Sequence, residues 1–420
     1  MRRKQPRLAA LAGFYVFSVL MMHSVYIQED QENYVEIIQN IRFGAFSKPR
    51  QVKPPSAEFV NLGMIVINLE PKERLEQKFL TAIERTFKRI FQFSSGTPLH
   101  FIIVTDKLSI GSVSLSLAEI ISKDLASHAI MDTAWRWRRR KGLPPIQFSF
   151  VDIEDILDEN RSFVEALKKQ NVNGEDATKD KYAADLFYIG PLYHLAFSSI
   201  DKIIFIDSTD LLFVSDVKDL QDQFANIGDQ AVMMVGLDLS PHYRINLEKF
   251  IKTAPETYLG KPGRYQGLNT GVVLFDLAKM RRSSQYNNNL SPERVHLLFS
   301  TYQMKMTVGD QDWFTLLSYQ QENLFSILPC QFNAQTSLQY WSANKPTFYS
   351  YHHCDVPGST KISHCNGCGP KPESCGSPVA RVAEYRGHIN LLIQVIPVEN
   401  LWLFLGHVYH SGKYRQELKI

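Results

Sequence analysis

The chain has 420 residues, enough for one large domain or two ordinary ones with a substantial buried core. Its 46 Lys and Arg residues nearly balance 43 Asp and Glu residues, for a formal charge of +3, which excludes a protein that coats nucleic acid through net positive charge. The composition, 44% hydrophobic and 21% charged, is typical of a folded globular protein and excludes a disordered or polytopic membrane chain.

The N-terminal segment predicts a membrane anchor. Residues 8–27 carry no formal charge, and their number is about what a helix needs to cross the hydrocarbon of a bilayer. Basic residues precede this segment and acidic residues follow it, so we expect residues 1–7 in the cytosol and the rest in the lumen, as in a type II membrane protein. A cleaved signal peptide and a buried core helix are the alternatives. Residues 28–57 are expected to form a lumenal stem.

Strand and helix patterns alternate after the stem. Apolar runs and helical periodicity predict a strand at 59–69, a helix at 71–93, a strand at 100–105, one or two helices at 108–130, a strand at 146–151, a helix at 183–197 and a strand at 202–206. This alternation favours an α/β fold with a parallel, doubly wound sheet. Asp207 and Asp210 follow the last of these strands, at the carboxyl end where such sheets bind ligands.

The second half of the chain continues the pattern and then becomes irregular. Further strands are predicted at 231–236 and 271–275, a tight turn at 267–271, and helices at 290–303 and 312–320. The apolar segment 391–405 is interrupted by Pro397, which favours a lid or packing helix over membrane contact. The basic and aromatic run at 135–141 favours a solvated loop, with contact to a substrate protein or to membrane head groups as the alternative.

The two acids after the strand at 202–206 indicate a metal site. Carboxylates held close together repel each other unless a cation neutralises them, and oxygen ligands favour Mg²⁺ or Mn²⁺. An imidazole as third ligand favours Mn²⁺, and His364 is the candidate. A structural turn capped by an Asp side chain is the alternative for the acids, and an ordinary loop histidine is the alternative for His364.

An ordered set of motifs extends this interpretation. The segments are KIIFIDSTDLLFVSDVKDL at 202–220, PHYR at 241–244, GLNTGVVLFDLAKMRRS at 267–283, GDQDWFT at 309–315, LPCQFN at 328–333 and CDVPGSTKISHCNG at 354–367. In this order they resemble glycosyltransferase family 8, the retaining nucleotide-sugar transferases that include lumenal xylosyltransferases. The resemblance implies a GT-A type, Rossmann-like domain at 58–376 with a mixed, mostly parallel central sheet, followed by a helical tail at 377–420 that packs on it.

The same resemblance implies a ligand set for the metal. The family's metal-binding residues match Asp207, Asp210 and His364, and the ion is expected to be Mn²⁺, with Mg²⁺ as the alternative. The family usually has D-x-D, whereas this chain has the longer D-S-T-D. We expect a small bulge at Ser208 or Thr209 to aim both carboxylates at the metal.

Roles for other residues follow from the resemblance as well. Asp310 and Gln311 are expected to act at the reacting sugar, with Gln311 on its β-face. The acceptor is expected to contact aromatic and amide side chains, namely Gln331, Asn333 and Trp341, together with Phe332 and Tyr340. The expected donor-binding residues are Val66, Ile67, Asn68, Tyr182, Asp207, Ser208, Thr209, Asn269, Thr270, Val308 and Gly309. Because an amide is a poor nucleophile, we expect a front-face mechanism in which the departing β-phosphate takes the proton of the acceptor hydroxyl.

The resemblance also implies substrates and a compartment. The expected reaction transfers xylose from UDP-xylose, in α1,3 linkage, to the xylose of xylosyl-glucose O-linked to Ser of EGF-like repeats, as on Notch-type receptors. A glucoside xylosyltransferase that adds the first xylose is one alternative, and a non-catalytic lumenal glycan-binding protein on a degenerate transferase fold is another. We expect the protein in the membrane of the endoplasmic reticulum, with the Golgi as the alternative, without a nucleic-acid partner and with homodimerisation as a further hypothesis.

All five cysteines lie between residues 330 and 375. Their spacing, with histidines nearby, resembles a zinc site in a cytosolic chain, whereas an oxidising lumen favours disulfides. The resemblance implies a Cys330–Cys354 pair, and two of Cys365, Cys368 and Cys375 would form a second pair that leaves one thiol over.

Overall fold

The computed structural model describes residues 49–52, 59–66, 73–94, 96–107, 109–110, 113, 146–172, 185–335, 350–351, 354 and 360–365. The predicted anchor and C-terminal helix, and the basic run at 135–141, lie outside these residues, as does the predicted stem apart from residues 49–52. The stem prediction is wrong for those four residues, because Val52 is buried in the core of the folded domain. Among the described helices, none is both long and apolar enough to cross a bilayer.

Ten strands and eleven α-helices occupy the described residues. The strands are β1 Val60–Val66, β2 Leu99–Thr105, β3 Gln147–Asp152, β4 Lys202–Ile206, β5 Leu211–Phe213, β6 Met233–Leu237, β7 Leu268–Asp276, β8 Phe325–Ile327, β9 Ala334–Gln335 and β10 Ile362–His364. The helices are α1 Glu73–Phe93, α2 Ile153–Leu157, α3 Arg161–Lys168, α4 Tyr193–Ala196, α5 Val217–Gln221, α6 His242–Asn246, α7 Glu248–Thr253, α8 Leu277–Arg282, α9 Ser284–Asn287, α10 Pro292–Thr301 and α11 Asp310–Gln320. Short 3₁₀ turns lie at Pro49–Gln51, Asp185–Tyr188, Gly190–Leu192, Asp222–Asn226, Glu322–Leu324 and Cys330–Phe332.

A seven-stranded sheet in the order β3-β2-β1-β4-β7-β6-β8 forms the centre. Four of its strand pairs are parallel, whereas β7 runs antiparallel to both β4 and β6. The mixed, mostly parallel sheet that the resemblance implies is therefore confirmed. The parallel sheet expected from the alternation of elements is wrong only in the direction of β7. The reversal of β7 brings its first residues beside the carboxyl end of β4, where the Asp207 amide donates to the Gly271 carbonyl at 2.9 Å.

The central sheet is covered on both faces. Successive β4 residues point to opposite sides, since Ile203 and Phe205 belong to one apolar cluster and Ile204 and Ile206 to the other. The long helix α1 covers the second face through buried residues spaced at the helical period, Ile83, Phe87, Ile90 and Phe91. With both faces buried, the open edge at the ends of the strands is left for ligands.

Two local predictions are wrong. Residues 185–197 form two 3₁₀ turns and the four-residue α4 rather than one helix, because Gly190 and Pro191 interrupt the periodic pattern and the Gly190 amide donates to the Asp310 carboxylate instead of to a helical carbonyl. The predicted tight turn at 267–271 is mostly strand, since β7 already begins at Leu268. Asn269 and Thr270 therefore lie in the sheet, and Gly267, at φ +107°, makes the bend before it.

Candidate functional site

Asp207, Asp210 and His364 meet at the carboxyl end of β4. Their potential ligand atoms all lie within 4.8 Å of one another. The imidazole Nε2 lies 3.4 Å from Asp207 Oδ2 and 3.5 Å from Asp210 Oδ2. The His364 side chain is 3% exposed and that of Asp207 is 52% exposed. The cluster is therefore buried on the side of His364 and accessible to solvent on the side of Asp207.

A second, three-stranded sheet delivers His364 to the acids. In this sheet β10 lies between β5 and β9, and His364 pairs with Leu211, the residue directly after Asp210. The Cys365 amide also donates to the Asp210 carbonyl at 2.8 Å. Gly271 allows the close approach, because a Cβ there would lie 2.3 Å from Cε1 of the His364 ring. The segments carrying the three side chains are thus joined by backbone contacts.

Asn333 contacts the imidazole on the side opposite the acids, and Asn269 holds Asn333. His364 Nδ1 lies 2.9 Å from Asn333 Oδ1, an acceptor, so Nδ1 carries a proton and Nε2 faces the acids. The Asn333 amide donates in turn to Asn269, at 2.9 Å to its side-chain oxygen and 3.2 Å to its carbonyl. Both asparagines are buried. The orientation of the ring is therefore fixed before any ligand binds.

The electrostatics of this cluster favour a cation. Burial by itself lowers the pKa of His364, but the carboxylates of Asp210 and Asp207 outweigh it and raise that pKa to about 10. Two carboxylate oxygens and one imidazole nitrogen also form a donor set suited to a divalent ion such as Mn²⁺. The three residues therefore fit a metal ion, and both acids of the longer D-S-T-D turn reach the site.

A second hydrogen-bonded chain holds Gln311 at the start of α11. Its Oε1 accepts from the Thr270 amide at 3.1 Å, and its Nε2 donates to the Tyr243 hydroxyl at 3.2 Å. That hydroxyl donates to Asp312 Oδ1 at 2.9 Å. The other Asp312 oxygen accepts from the amides of Thr307 and Val308. The Gln311 amide is thereby fixed at its oxygen by β7 and at its nitrogen by Tyr243 of α6.

Asp310 lies at the same end of α11. Its Oδ2 accepts from the Gly190 amide at 2.9 Å. Gly309 precedes it at φ +72°, where a Cβ would also lie 2.6 Å from the Phe187 carbonyl oxygen, so only glycine fits. Burial raises the pKa of Asp310 to about 7, and the charge of Asp207 adds to the rise. A carboxyl that changes protonation near neutral pH therefore lies close to the acidic cluster.

The other predicted site residues fall into three groups. Val66, Ser208, Thr209, Asn269, Thr270, Val308 and Gly309 lie at the strand ends, the acidic turn or the start of α11, while Ile67, Asn68, Tyr182, Tyr340 and Trp341 lie outside the described residues. Phe332 is part of the core, and the Gln331 carbonyl accepts from the Lys361 amide. Asn333 is 1% exposed and bonds His364 and Asn269, so its predicted contact with an acceptor stays a prediction. The Cys330–Cys354 disulfide is confirmed, with Cα atoms 5.5 Å apart.

Sequence reasoning missed Tyr243 and the support role of Asn333. Tyr243 stands in the PHYR segment and Asn333 in LPCQFN, so both motifs were visible. Nothing in their spacing indicates that one side chain contacts Gln311 and the other His364. These contacts join residues 68 and 31 positions apart in the sequence.

Comparison with known proteins identifies the family. The sequence model described as glycosyl transferase family 8 matches residues 116–372, more than half of the chain. The chain belongs to glycosyltransferase family 8. The matched range contains every member of the Asp207, Asp210 and His364 cluster and the whole Gln311 chain of hydrogen bonds.

Similar proteins include xylosyltransferases. The chain is 30% identical over 244 residues to xyloside xylosyltransferase 1 of Mus musculus, and equally to that of Homo sapiens, covering 56% of this chain and 60% of each relative. It is 25% identical over 140 residues to glucoside xylosyltransferase 1 of Danio rerio, covering 32% of either chain. The crystal structure of mouse xyloside xylosyltransferase 1 in its apo form aligns with a TM-score of 0.62 at 23% identity, over 74% of this chain and 98% of that one. This last likeness supports the GT-A type fold.

Tyr243→Phe tests whether the hydroxyl positions Gln311. The substitution keeps the ring, removes the bridge to Gln311 and leaves Asp312 Oδ1 without that donor, so the free energy of unfolding should fall by about 1 to 3 kcal/mol. Loosening of Gln311 should lower kcat for sugar transfer roughly tenfold or more while the donor KM changes little. Steady-state kinetics and urea denaturation measure both, with Tyr302→Phe as a buried-tyrosine control. An unchanged kcat in Tyr243→Phe contradicts the positioning role.

Asp310→Asn tests the raised pKa of Asp310. The folded-state pKa of Asp310, about 7, lies above its unfolded value, so the native state binds the proton more tightly. The contribution of Asp310 to the free energy of unfolding therefore falls as the pH rises from about 4 to 7. Asparagine keeps an oxygen for the Gly190 amide and has no charge to bury. The variant should therefore gain stability relative to the parent between pH 5 and pH 7.5, measured by denaturation in a metal chelator. A difference that does not change with pH contradicts the shift.

Proposed function

We propose that this chain is a divalent-metal-dependent, retaining xylosyltransferase that uses UDP-xylose. The acceptor would be the xylose of xylosyl-glucose O-linked to Ser of EGF-like repeats, and the new bond α1,3. The observation that carries the proposal is the convergence of Asp207, Asp210 and His364 in a member of family 8. The names of the relatives support xylose as the sugar transferred and a xyloside as its acceptor.

Asp207, Asp210 and His364 are the residues that would hold the ion, with Mn²⁺ favoured over Mg²⁺ because of the imidazole. Bound there, the ion would supply positive charge to the diphosphate and so stabilise it as a leaving group. The exposed side of Asp207 leaves room for phosphate oxygens to approach. Asn333 and Asn269 would keep His364 from rotating as the charge at the site changes.

Transfer then proceeds on one face of the sugar. The bond between xylose C1 and the β-phosphate oxygen breaks, and the acceptor hydroxyl oxygen forms a bond to C1 from the same side. The β-phosphate oxygen takes the hydroxyl proton, so the products are UDP and the glycan lengthened by one xylose. No protein base is needed. Gln311, fixed through Thr270 and Tyr243, would place its amide dipole by the β-face of C1 as positive charge develops there.

Asp310 would bind hydroxyls of the donor sugar. Its Oδ2 already accepts from the Gly190 amide, and its remaining acceptor capacity suits a sugar hydroxyl. An unpaired polar group in a buried sugar pocket costs about 1 to 3 kcal/mol, so this contact discriminates between sugars. Asp310 and Gln311 are the first two residues of α11. The residue that would bind the sugar hydroxyls and the residue that would face C1 are therefore held by the same end of one helix.

We place this activity in the lumen of the endoplasmic reticulum, on a type II anchor at 8–27. The Cys330–Cys354 disulfide supports an oxidising compartment. The anchor itself rests on the sequence alone, and Golgi residence is the alternative.

Two other functions remain in competition. The similarity to glucoside xylosyltransferase 1 supports transfer of the first xylose to O-linked glucose. The D-S-T-D turn differs from the family's usual D-x-D, which is the reason for considering a non-catalytic glycan-binding protein. Both acids nevertheless lie next to His364, and this favours an enzyme.

A donor and acceptor screen separates these functions. The chain without residues 1–27 is incubated with UDP-xylose, UDP-glucose or UDP-galactose, with Mn²⁺ or a chelator, and with EGF repeats that carry either glucose or xylosyl-glucose. The proposal predicts xylose transfer to the xylosyl-glucose repeat only with the metal. Transfer to the glucosyl repeat alone supports the first-xylose alternative, and binding of glycan without transfer from any donor supports the lectin.

Substitution of the metal ligands gives the matching prediction. Asp210→Asn and His364→Gln should each lower Mn²⁺-dependent transfer at least a hundredfold, because each removes a ligand and the charge balance of the site. Asp229→Asn and His296→Gln, at exposed positions, make the same chemical changes elsewhere and should keep full activity. Equal activity in the ligand variants and these controls contradicts the assigned site.

A further inference from the structure

The turn that carries the two acids is held by its backbone from two sides. The Thr209 carbonyl accepts from Arg85 of α1 at 3.2 Å, and the Leu211 carbonyl lies 3.3 Å from the Thr86 hydroxyl. Between them, the Asp210 carbonyl accepts from the Cys365 amide at 2.8 Å. The Thr209 and Asp210 carbonyls are thus engaged by groups distant in sequence, one from α1 and one from the segment after β10. The Thr86 hydroxyl shares its one proton between the Leu211 carbonyl and the Ala82 carbonyl of its own helix, both at 3.3 Å.

Helix α1 is a rigid support for its side of the turn. Thr86 is fully buried, and Ile83, Phe87 and Ile90 fix the helix against the sheet. Arg85 is half-buried, and its guanidinium donates to the Thr209 carbonyl in the acidic turn. A guanidinium at this place is notable because the same turn is the proposed metal site, and a fixed positive charge repels a divalent ion.

Arg85 therefore has two opposite effects on a bound metal. Its charge weakens binding through space, while its hydrogen bond to Thr209 fixes the conformation in which Asp207 and Asp210 face one imidazole. The turn has one residue more than D-x-D, so it has more conformational freedom to lose when both carboxylates converge. A bond to the carbonyl of Thr209, one of the two residues between the acids, acts directly on that freedom.

We propose that Arg85 is a positioning residue for the metal site, which holds the longer D-S-T-D turn in its ligand-ready conformation from α1. The inference rests on the proposed metal-dependent function. Since electrostatics alone predicts tighter metal binding when Arg85 is neutralised, the sign of the change in affinity separates the positioning effect from the charge effect.

The test is a Mn²⁺ titration of the purified 420-residue chain, followed by the electron paramagnetic resonance signal of free Mn²⁺. Residues that support metal ligands typically change affinity 10- to 100-fold, so Arg85→Met should raise the Kd about tenfold. Arg85→Lys, which keeps a donor and the charge, should recover most of the affinity. Lys88→Met is the matched control, since Lys88 pairs with Glu84 on the same helix and should bind Mn²⁺ like the parent.

Unchanged or tighter Mn²⁺ binding by Arg85→Met, while the parent binds saturably, overturns the inference and leaves the proposed function standing. No saturable binding by the parent overturns both. Should Arg85→Met fail to fold, as circular dichroism would show, Thr86→Val provides the second variant. It removes only the hydroxyl, which lies 3.3 Å from both the Leu211 and the Ala82 carbonyls, and should raise the Kd by a smaller factor, about threefold. Equal affinity in Thr86→Val and the parent then contradicts the role of α1.

Discussion

The repulsion between two carboxylates at one strand end is the constraint that organises the rest of this site. Asp207 and Asp210 are brought together by a turn of only four residues, and His364 meets them at 3.4 and 3.5 Å. Without a cation this arrangement is unfavourable, and the carboxylates of Asp210 and Asp207 accordingly raise the pKa of His364 despite its burial. Three features of the fold bring His364 to the two acids. The three-stranded sheet carries it there, Gly271 leaves space for its ring, and the buried Asn333 and Asn269 fix the orientation of that ring.

This constraint also connects the metal cluster to the sugar-binding side. Asn269 supports Asn333 and hence His364, while its neighbour Thr270 holds Gln311 through its backbone amide. One short stretch of β7 therefore positions both the imidazole and the amide of α11. Its antiparallel direction matters here, because only then do residues 269–271 lie beside the end of β4. The two halves of the site share a rigid strand rather than a flexible loop.

Much of the central fold could be predicted from the sequence, since long apolar runs and helical periodicity report burial directly. The strand at 202–206 has the predicted bounds, and β1, β2, β3 and α1 lie within a few residues of theirs. Strand direction was not predictable, because an apolar run such as that of β7 looks the same either way. The helix at 183–197 was wrong because the pairing of Gly190 with Asp310 is a contact over 120 residues that no local pattern contains. The metal ligands were found through motifs, whereas Asn333, Tyr243 and Arg85 act through contacts that only the folded chain reveals.

The central claim is that one divalent ion binds between Asp207, Asp210 and His364. It is tested most directly by crystallography of the chain without residues 1–27, soaked with MnCl₂ and UDP, using anomalous scattering from manganese. The account predicts a single strong anomalous peak within coordination distance of both carboxylates and the His364 Nε2, with the diphosphate beside it. A peak elsewhere, or none while UDP is bound, would contradict it.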